Sequence, residues 1–248
     1  VEKPMALDVE NAKQLCRLAD NEGRVLMVGH LLQYHPAFLK LTEIVRTGTL
    51  GKLQYIYSNR LNLGKVRREE NILWSFAPHD VSMILSLVGE EPIDVRAVGT
   101  SYRERGNADV TTTHLIFPGG VRAHVFVSWL HPFKEQKLVV IGEAGMAVFD
   151  DGEAWDRKVL LYPHTIDWIE GTPHPSRANP EPHAIDECEP LRLECEHFLD
   201  CLAKGIRPRT DGEEGVRVLR VLKAAQDALD REHDPAPFNR LQDQDMTG

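Results

Sequence analysis

The sequence predicts an α/β protein in two parts: residues 1–35 read as the remnant of a parallel sheet, and residues 36–248 as an α+β domain with an open, mostly antiparallel sheet. Three observations predict it. Residues 25–28, Val-Leu-Met-Val, are an all-apolar run of the kind buried in parallel sheets; a helix and a strand end precede them, so the first 30 residues form a βαβ unit without its first strand. Between residues 95 and 150, five β-rich runs are joined by tight Gly- and Pro-containing connections, the pattern of an antiparallel meander. Amphipathic helices flank and close this region.

In chain order, Asp8 caps a helix with Ala12, Leu15, Cys16 and Ala19 on its apolar side, and Gly23 stops it. A second helix runs from Pro36 to about residue 47, with Phe38, Leu41, Ile44 and Val45 inward and Gly48 behind. Residues 53–61 alternate as a strand, and residues 63–70 form a polar loop carrying Lys65, Arg67 and Arg68. The helix that follows has both ends written: Ser75 as N-cap, Pro78 in the first turn, Gly89 as a left-handed stop. Its core stripe is Ala77, Val81, Ile84, Leu85 and Val88, while His79, Ser82 and Ser86 share another face that need not be submerged. Strands are expected at 95–102, 110–117, 121–129, 137–141 and 147–150. Residues 155–189 are rich in Pro, His and acids and weakly periodic, a long surface excursion. Pro190 opens a docking helix with a stripe of Leu191, Cys195, Phe198, Leu199 and Leu202, stopped by Gly205. Thr210 and Glu213 form a capping box for the last helix, with Leu219, Leu222, Ala225 and Leu229 inward; the tail after His233 frays.

A hydrophobic content of 42% supports a sizeable core, and the formal net charge of −9 argues against non-specific binding to nucleic acid or an anionic membrane. The four cysteines are too few and too unevenly spaced for a disulfide framework or a metal site, and read as reduced thiols. No apolar run reaches the roughly 18 residues of a membrane span, and no signal peptide opens the chain. A cytoplasmic protein is expected.

The chemistry is expected at His79, which by itself reads equally as an extra cap or a satisfied surface histidine. A helix N-terminus disfavours imidazolium and leaves a neutral ring able to accept a proton near neutral pH. Lys3 stands at the end of a would-be parallel strand, where open α/β sheets place ligands, and is suited to bonding a substrate hydroxyl. Arg60, Arg67 and Arg68 have the forked guanidinium geometry to grip a diphosphate, and Asn62 and Asn71 the amides to read sugar hydroxyls; as bare side chains all five also suit a solvated surface. The strand end Ser-Trp-Leu-His groups Trp129 and His131, an aromatic and a titratable ring, although Trp129 is as readily core. No G-x-G-x-x-G phosphate loop occurs.

Glu2-Lys3-Pro4, Gly29-His30 with Tyr34-His-Pro36, residues 74–80 around His79, and the segments from Pro190 to Gly215 together resemble the glucose-fructose oxidoreductase/inositol dehydrogenase (GFO/IDH/MocA) family over nearly the whole chain. Within it, Arg60-Leu-Asn-Leu-Gly-Lys65, Trp74-Ser-Phe-Ala-Pro-His-Asp80 and residues 189–195 resemble the branch that oxidises UDP-N-acetylglucosamine or its uronic acid at carbon 3. The resemblance implies a Rossmann domain, NAD or NADP, and a second domain whose open sheet joins subunits into a homodimer or homotetramer. It assigns Lys3 and His79 to catalysis and places Glu2, Lys3, Pro4, His30 and Gln33 at the cofactor. Two positions depart: Ser75 stands where many members have aspartate, and Gln33 where they have arginine. The family's glycine-rich loop lies upstream of Glu-Lys-Pro, so roughly a hundred residues, about a small domain, are expected to be missing before Val1. This makes the 248 residues alone an inactive member or, as a rival, a non-catalytic sugar-nucleotide-binding or oligomerisation module. A polyol dehydrogenase is a further rival.

Overall fold

The computed structural model describes residues 1–64, 66–103 and 106–232; Lys65, residues 104–105 and the tail from 233 lie outside them. Among the described residues five α-helices and ten strands follow one another: α1 (Val9–Asn21), α2 (Pro36–Arg46), β1 (Leu53–Leu61), α3 (Ile72–Val88), β2 (Asp94–Thr100), β3 (Val110–Ile116), β4 (Arg122–Ser128), β5 (Glu135–Gly142), β6 (Gly145–Asp150), β7 (Val159–Tyr162), β8 (Thr165–Ile169), β9 (Thr172–Ser176), β10 (Glu181–Pro182), α4 (Pro190–Lys204) and α5 (Gly212–Glu232).

Eight strands form one sheet in the order β10-β7-β6-β5-β1-β4-β3-β2. Every pairing is antiparallel except β1 with β4, which run parallel from Tyr55 opposite Arg122 to Leu61 opposite Ser128. Parallel neighbours need a crossover, and α3 with the β2–β3 hairpin supplies it. One sheet face is covered by helices: Val81, Ile84 and Leu85 of α3 and Leu222, Ala225 and Leu229 of α5 join Val125, Val127, Leu138 and Val140 in the main core. Each fully buried Leu, Ile or Val in it contributes about 1.5–3 kcal/mol relative to exposure. The other face keeps only a small cluster of Val139, Val148 and Leu160, bordered by half-buried Tyr57, Ile141, Met146 and Tyr162.

The N-terminal segment has its own small core, in which Met5, Ala12, Cys16 and Val28 pack on Val216 and Leu219 of α5. Residues 25–28 were expected to be a strand; the structure gives one antiparallel bridge, Met27 with Asp211. The backbone is nonetheless tied on both sides, by Val1 N to Met27 O and Val28 N to Thr210 O, each at 2.8 Å. Four residues between such short neighbours satisfy their polar groups without building a ladder.

Three other expectations change. Residues 155–189 contribute β7 and β10 to the sheet edge and form a separate β8–β9 hairpin, because four apolar residues suffice for an edge strand yet show no readable period. The α4 stripe faces outward: Leu191, Leu199 and Leu202 are exposed, while Glu194 and Cys201 are buried. Asp211 rather than Thr210 caps α5, accepting from Glu214 N at 2.8 Å. The Thr210 hydroxyl is already engaged, donating to Val28 O and meeting the Tyr34 hydroxyl.

Candidate active site

Helix α3 begins a turn earlier than the Ser75 cap implies. Asn71 is the N-cap, its side-chain oxygen accepting from Trp74 N at 3.3 Å, and Gly89 ends the helix with φ 78°. Ser75 and Pro78 are therefore interior. Proline has no N–H to give the Trp74 carbonyl, which loosens the ladder at this point. Beside that gap the Ser75 carbonyl accepts from Lys3 Nζ at 2.6 Å. A residue from the start of the chain is thereby fixed against the turn that precedes His79.

His79 lies two turns inside the helix, so the helix end is not what keeps its ring neutral. Its Nδ1 is enclosed without a hydrogen-bond partner among the described residues. Burial, with Arg60, Lys3 and His30 as neighbouring cationic or titratable groups, holds the imidazole well below its ordinary range. Lys3 is lowered as well, chiefly by burial, against the opposing charge of Glu70. The result is a neutral imidazole with an unpaired buried nitrogen, next to a partly desolvated ammonium.

Around this pair lies a buried polar frame. Arg60, at 7% exposure, donates Nε to Asp80 Oδ2 at 2.6 Å and Nη2 to Oδ1 at 3.1 Å, and Ser58 Oγ donates to the same carboxylate at 2.6 Å. His30 stands edge-on to His79, ring centroids 6.5 Å apart, with Nδ1 2.6 Å from Glu214 Oε2. Ser82 Oγ donates to Glu214 Oε1 at 2.6 Å, and Gln33 Nε2 donates to Ser82 O and Oγ, each at 3.0 Å.

The structure thus gathers Lys3, His30, Gln33 and His79. Arg60 is present, but its fork is spent on Asp80, so it does not grip a diphosphate in this arrangement. Asn71 is committed to its cap and to Gln226, and Arg67 pairs with Glu70 at the surface. Trp129 is fully buried and edge-on to Phe76, a core residue out of a ligand's reach. His131 packs between Phe126 and Phe133, and Asn62 sits just past the end of β1 with its N–H bonded to Ser128 O. Glu2 is exposed and Pro4 half-buried beside Lys3. Asp80 and Glu214 were not foreseen. Nothing in the sequence near them distinguishes a buried carboxylate from a surface one; the signal is a partner 20 or 184 residues away.

Two clefts flank the site. One of about 560 Å³ is lined by Arg68, Glu70, Asn71, Trp74 and Gln226, and another of about 480 Å³ by Glu2, Gly29, Glu194 and Phe198. Neither offers a pyrophosphate cradle. The N-terminus of α1, the helix beside this edge, is filled by the Asp8 carboxylate, which accepts from Glu10 N and Asn11 N. Among the described residues no three His, Cys, Asp or Glu side chains group as metal ligands, and no helix is long and apolar enough to cross a membrane.

A mixed sheet backed by helices thus carries Lys3, bonded to the Ser75 carbonyl, one turn before His79 on α3. Residues 38–148 match the GFO/IDH/MocA C-terminal domain. It is 27% identical over 88% of its length to UDP-N-acetylglucosamine 3-dehydrogenase of Acidithiobacillus ferrooxidans, covering 67% of that protein. A solved structure of that enzyme superposes with a TM-score of 0.80 at 26% identity, over 94% of this chain and 72% of the other. D-xylose 1-dehydrogenase [NADP(+)] of Haloarcula marismortui is 25% identical over 93% of this chain and 65% of its own. The chain spans about two thirds of the length of these curated relatives.

Proposed function

We propose that this chain carries the substrate side of an NAD(P)-dependent dehydrogenase that oxidises a hydroxyl of a nucleotide-activated sugar, of the UDP-N-acetylglucosamine type, at carbon 3. The observation that carries the reading is Lys3 held on the Ser75 carbonyl one turn before His79, close enough for its charge to act on that ring, which burial keeps neutral. His79 takes the hydroxyl proton, and Lys3 orients the oxygen and stabilises the charge developing on it. A bound NAD or NADP would supply the hydride acceptor for this oxidation. The described residues fit the reacting hydroxyl and not the dinucleotide's pyrophosphate, so the steps assigned here are confined to proton transfer and orientation. Residues 1–35 are read as the piece of the Rossmann domain that brings Lys3 and His30 to the site, and residues 36–248 as the substrate-binding and oligomerisation domain.

A second reading, a sugar-nucleotide-binding module without catalysis, is favoured by the acid-capped α1 and the lack of a glycine-rich turn in these residues. Thermal shift with UDP-N-acetylglucosamine, inositol and xylose tests the substrate: a rise in Tm with the nucleotide sugar alone is expected, and a rise with inositol or xylose alone contradicts it. Reduction of NAD or NADP at saturating dinucleotide separates enzyme from module. In a chain extended upstream of Val1 by the cofactor-binding segment, turnover that His79→Asn lowers by on the order of a hundredfold supports the enzyme, and turnover within about threefold of the parent removes His79 from the mechanism.

A further inference from the structure

The buried chain Gln33–Ser82–Glu214–His30 has a direction. The Gln33 amide nitrogen can only donate, so the Ser82 hydroxyl accepts from it and turns its own proton to Glu214 Oε1. Glu214 Oε2 is then left facing His30 Nδ1 at 2.6 Å. A carboxylate accepts at this oxygen, so a ring carrying a single proton places it on Nδ1 and leaves Nε2 its lone pair. Nε2 takes part in no hydrogen bond among the described residues, and the ring stands edge-on to His79 with 6.5 Å between centroids.

We propose that Glu214 is a positioning residue that fixes His30 in the Nδ1–H tautomer and so presents Nε2 as the second proton station beside His79. The inference deepens the proposed function and rests on His79 as the first acceptor. A proton on His79 lies among Lys3, Arg60 and His30, with no carboxylate hydrogen-bonded to the ring. Passed to His30 Nε2, the same proton makes an imidazolium whose Nδ1–H is already bonded to Glu214. The bond between Nε2 and hydrogen forms as that on His79 breaks; no electrons change hands. Glu194, whose buried Oε1 is also unpartnered, and exposed Glu2 are the further acids on this side.

The test is nitrogen-15 NMR of histidine-labelled 248-residue chain at pH 8, without ligand. A protonated-type shift for His30 Nδ1 and an unprotonated-type shift for Nε2 are expected in the wild type. Glu214→Gln should abolish that preference or reverse it, Glu214→Asp should restore it in part, and His79→Asn should leave it unchanged. A wild-type His30 with its proton on Nε2 overturns the proposal. So does an Nδ1–H tautomer that persists unchanged in Glu214→Gln. The tautomer is read without turnover, so a failed His79 assignment would show in the kinetics of His79→Asn and not in these spectra.

Discussion

Asp80 is 1% exposed and satisfies three donors, two from Arg60 and one from Ser58, immediately after His79 in the chain. Removing one member of such a pair strands a buried charge. Asp80→Ala is therefore expected to destabilise the fold by about 3–5 kcal/mol in urea unfolding; a loss under 1 kcal/mol would mean that Arg60 finds water or another acid. His79 gives a pH dependence of definite sign. Its folded pKa is depressed, so below the unfolded value of about 6.5 the unfolded chain binds the proton and the folded chain does not. Stability from this residue is fully present above that pH and falls as pH drops below it, with a slope of at most about 1.4 kcal/mol per pH unit. The groups facing the ring, Lys3, Arg60 and His30, supply no acid that would reverse the sign. Unfolding free energy measured from pH 8 to 5 should slope less in His79→Asn than in the wild type; identical slopes would show that the ring protonates in place.

At the scale of elements, Gly142 is a stronger constraint than its sequence context announces. It closes β5 so tightly on residue 50 that a Cβ there would lie 2.1 Å from the Leu50 carbonyl oxygen. Gly142→Ala must move backbone, and a cost of about 1–3 kcal/mol or more is expected in thermal unfolding, where ordinary surface substitutions change little. The sequence carried most of the elements well. Alternation located β1 to β6, proline and glycine marked both ends of α4, and the inward faces of α2 and α5 were legible at helical spacing. It failed where a local signal has two physical solutions. Ser75 and Asn71 are both competent caps, and the choice fell to Asn71, whose amide also reaches Gln226 in α5. The α4 stripe looked buried because its residues are apolar, yet burial depends on what lies opposite, and Glu194 and Cys201 face the protein instead. For the site, His79 and Lys3 were visible as residues, but Glu214 and Asp80 were not, since a buried carboxylate is defined by its distant partner.

For the whole molecule, the uncovered sheet face is the feature that calls for a partner. Tyr57 stacks on His124 with centroids 5.5 Å apart, Tyr55 is hydrogen-bonded to His124, and Met146 and Tyr162 flank the small apolar cluster beside them. Such a half-covered face supports a homodimer or homotetramer through the sheet. Light scattering at micromolar concentration should give a multiple of the 28.0 kDa chain mass; a monomer contradicts the proposal. With α1 capped by acid and no glycine-rich turn in these residues, the 248-residue chain is expected to bind NAD or NADP no better than about millimolar in isothermal titration. Micromolar affinity would place the pyrophosphate on another segment.

The most direct test of the claim that Lys3 and His79 form the substrate site is a histidine-resolved NMR titration of the chain with UDP-N-acetylglucosamine. The expected result is a saturable shift of the His79 ring signals, with His30 following, at concentrations where inositol moves neither, and loss of that response in Lys3→Met. Saturable binding that leaves His79 unmoved while other residues shift would contradict it.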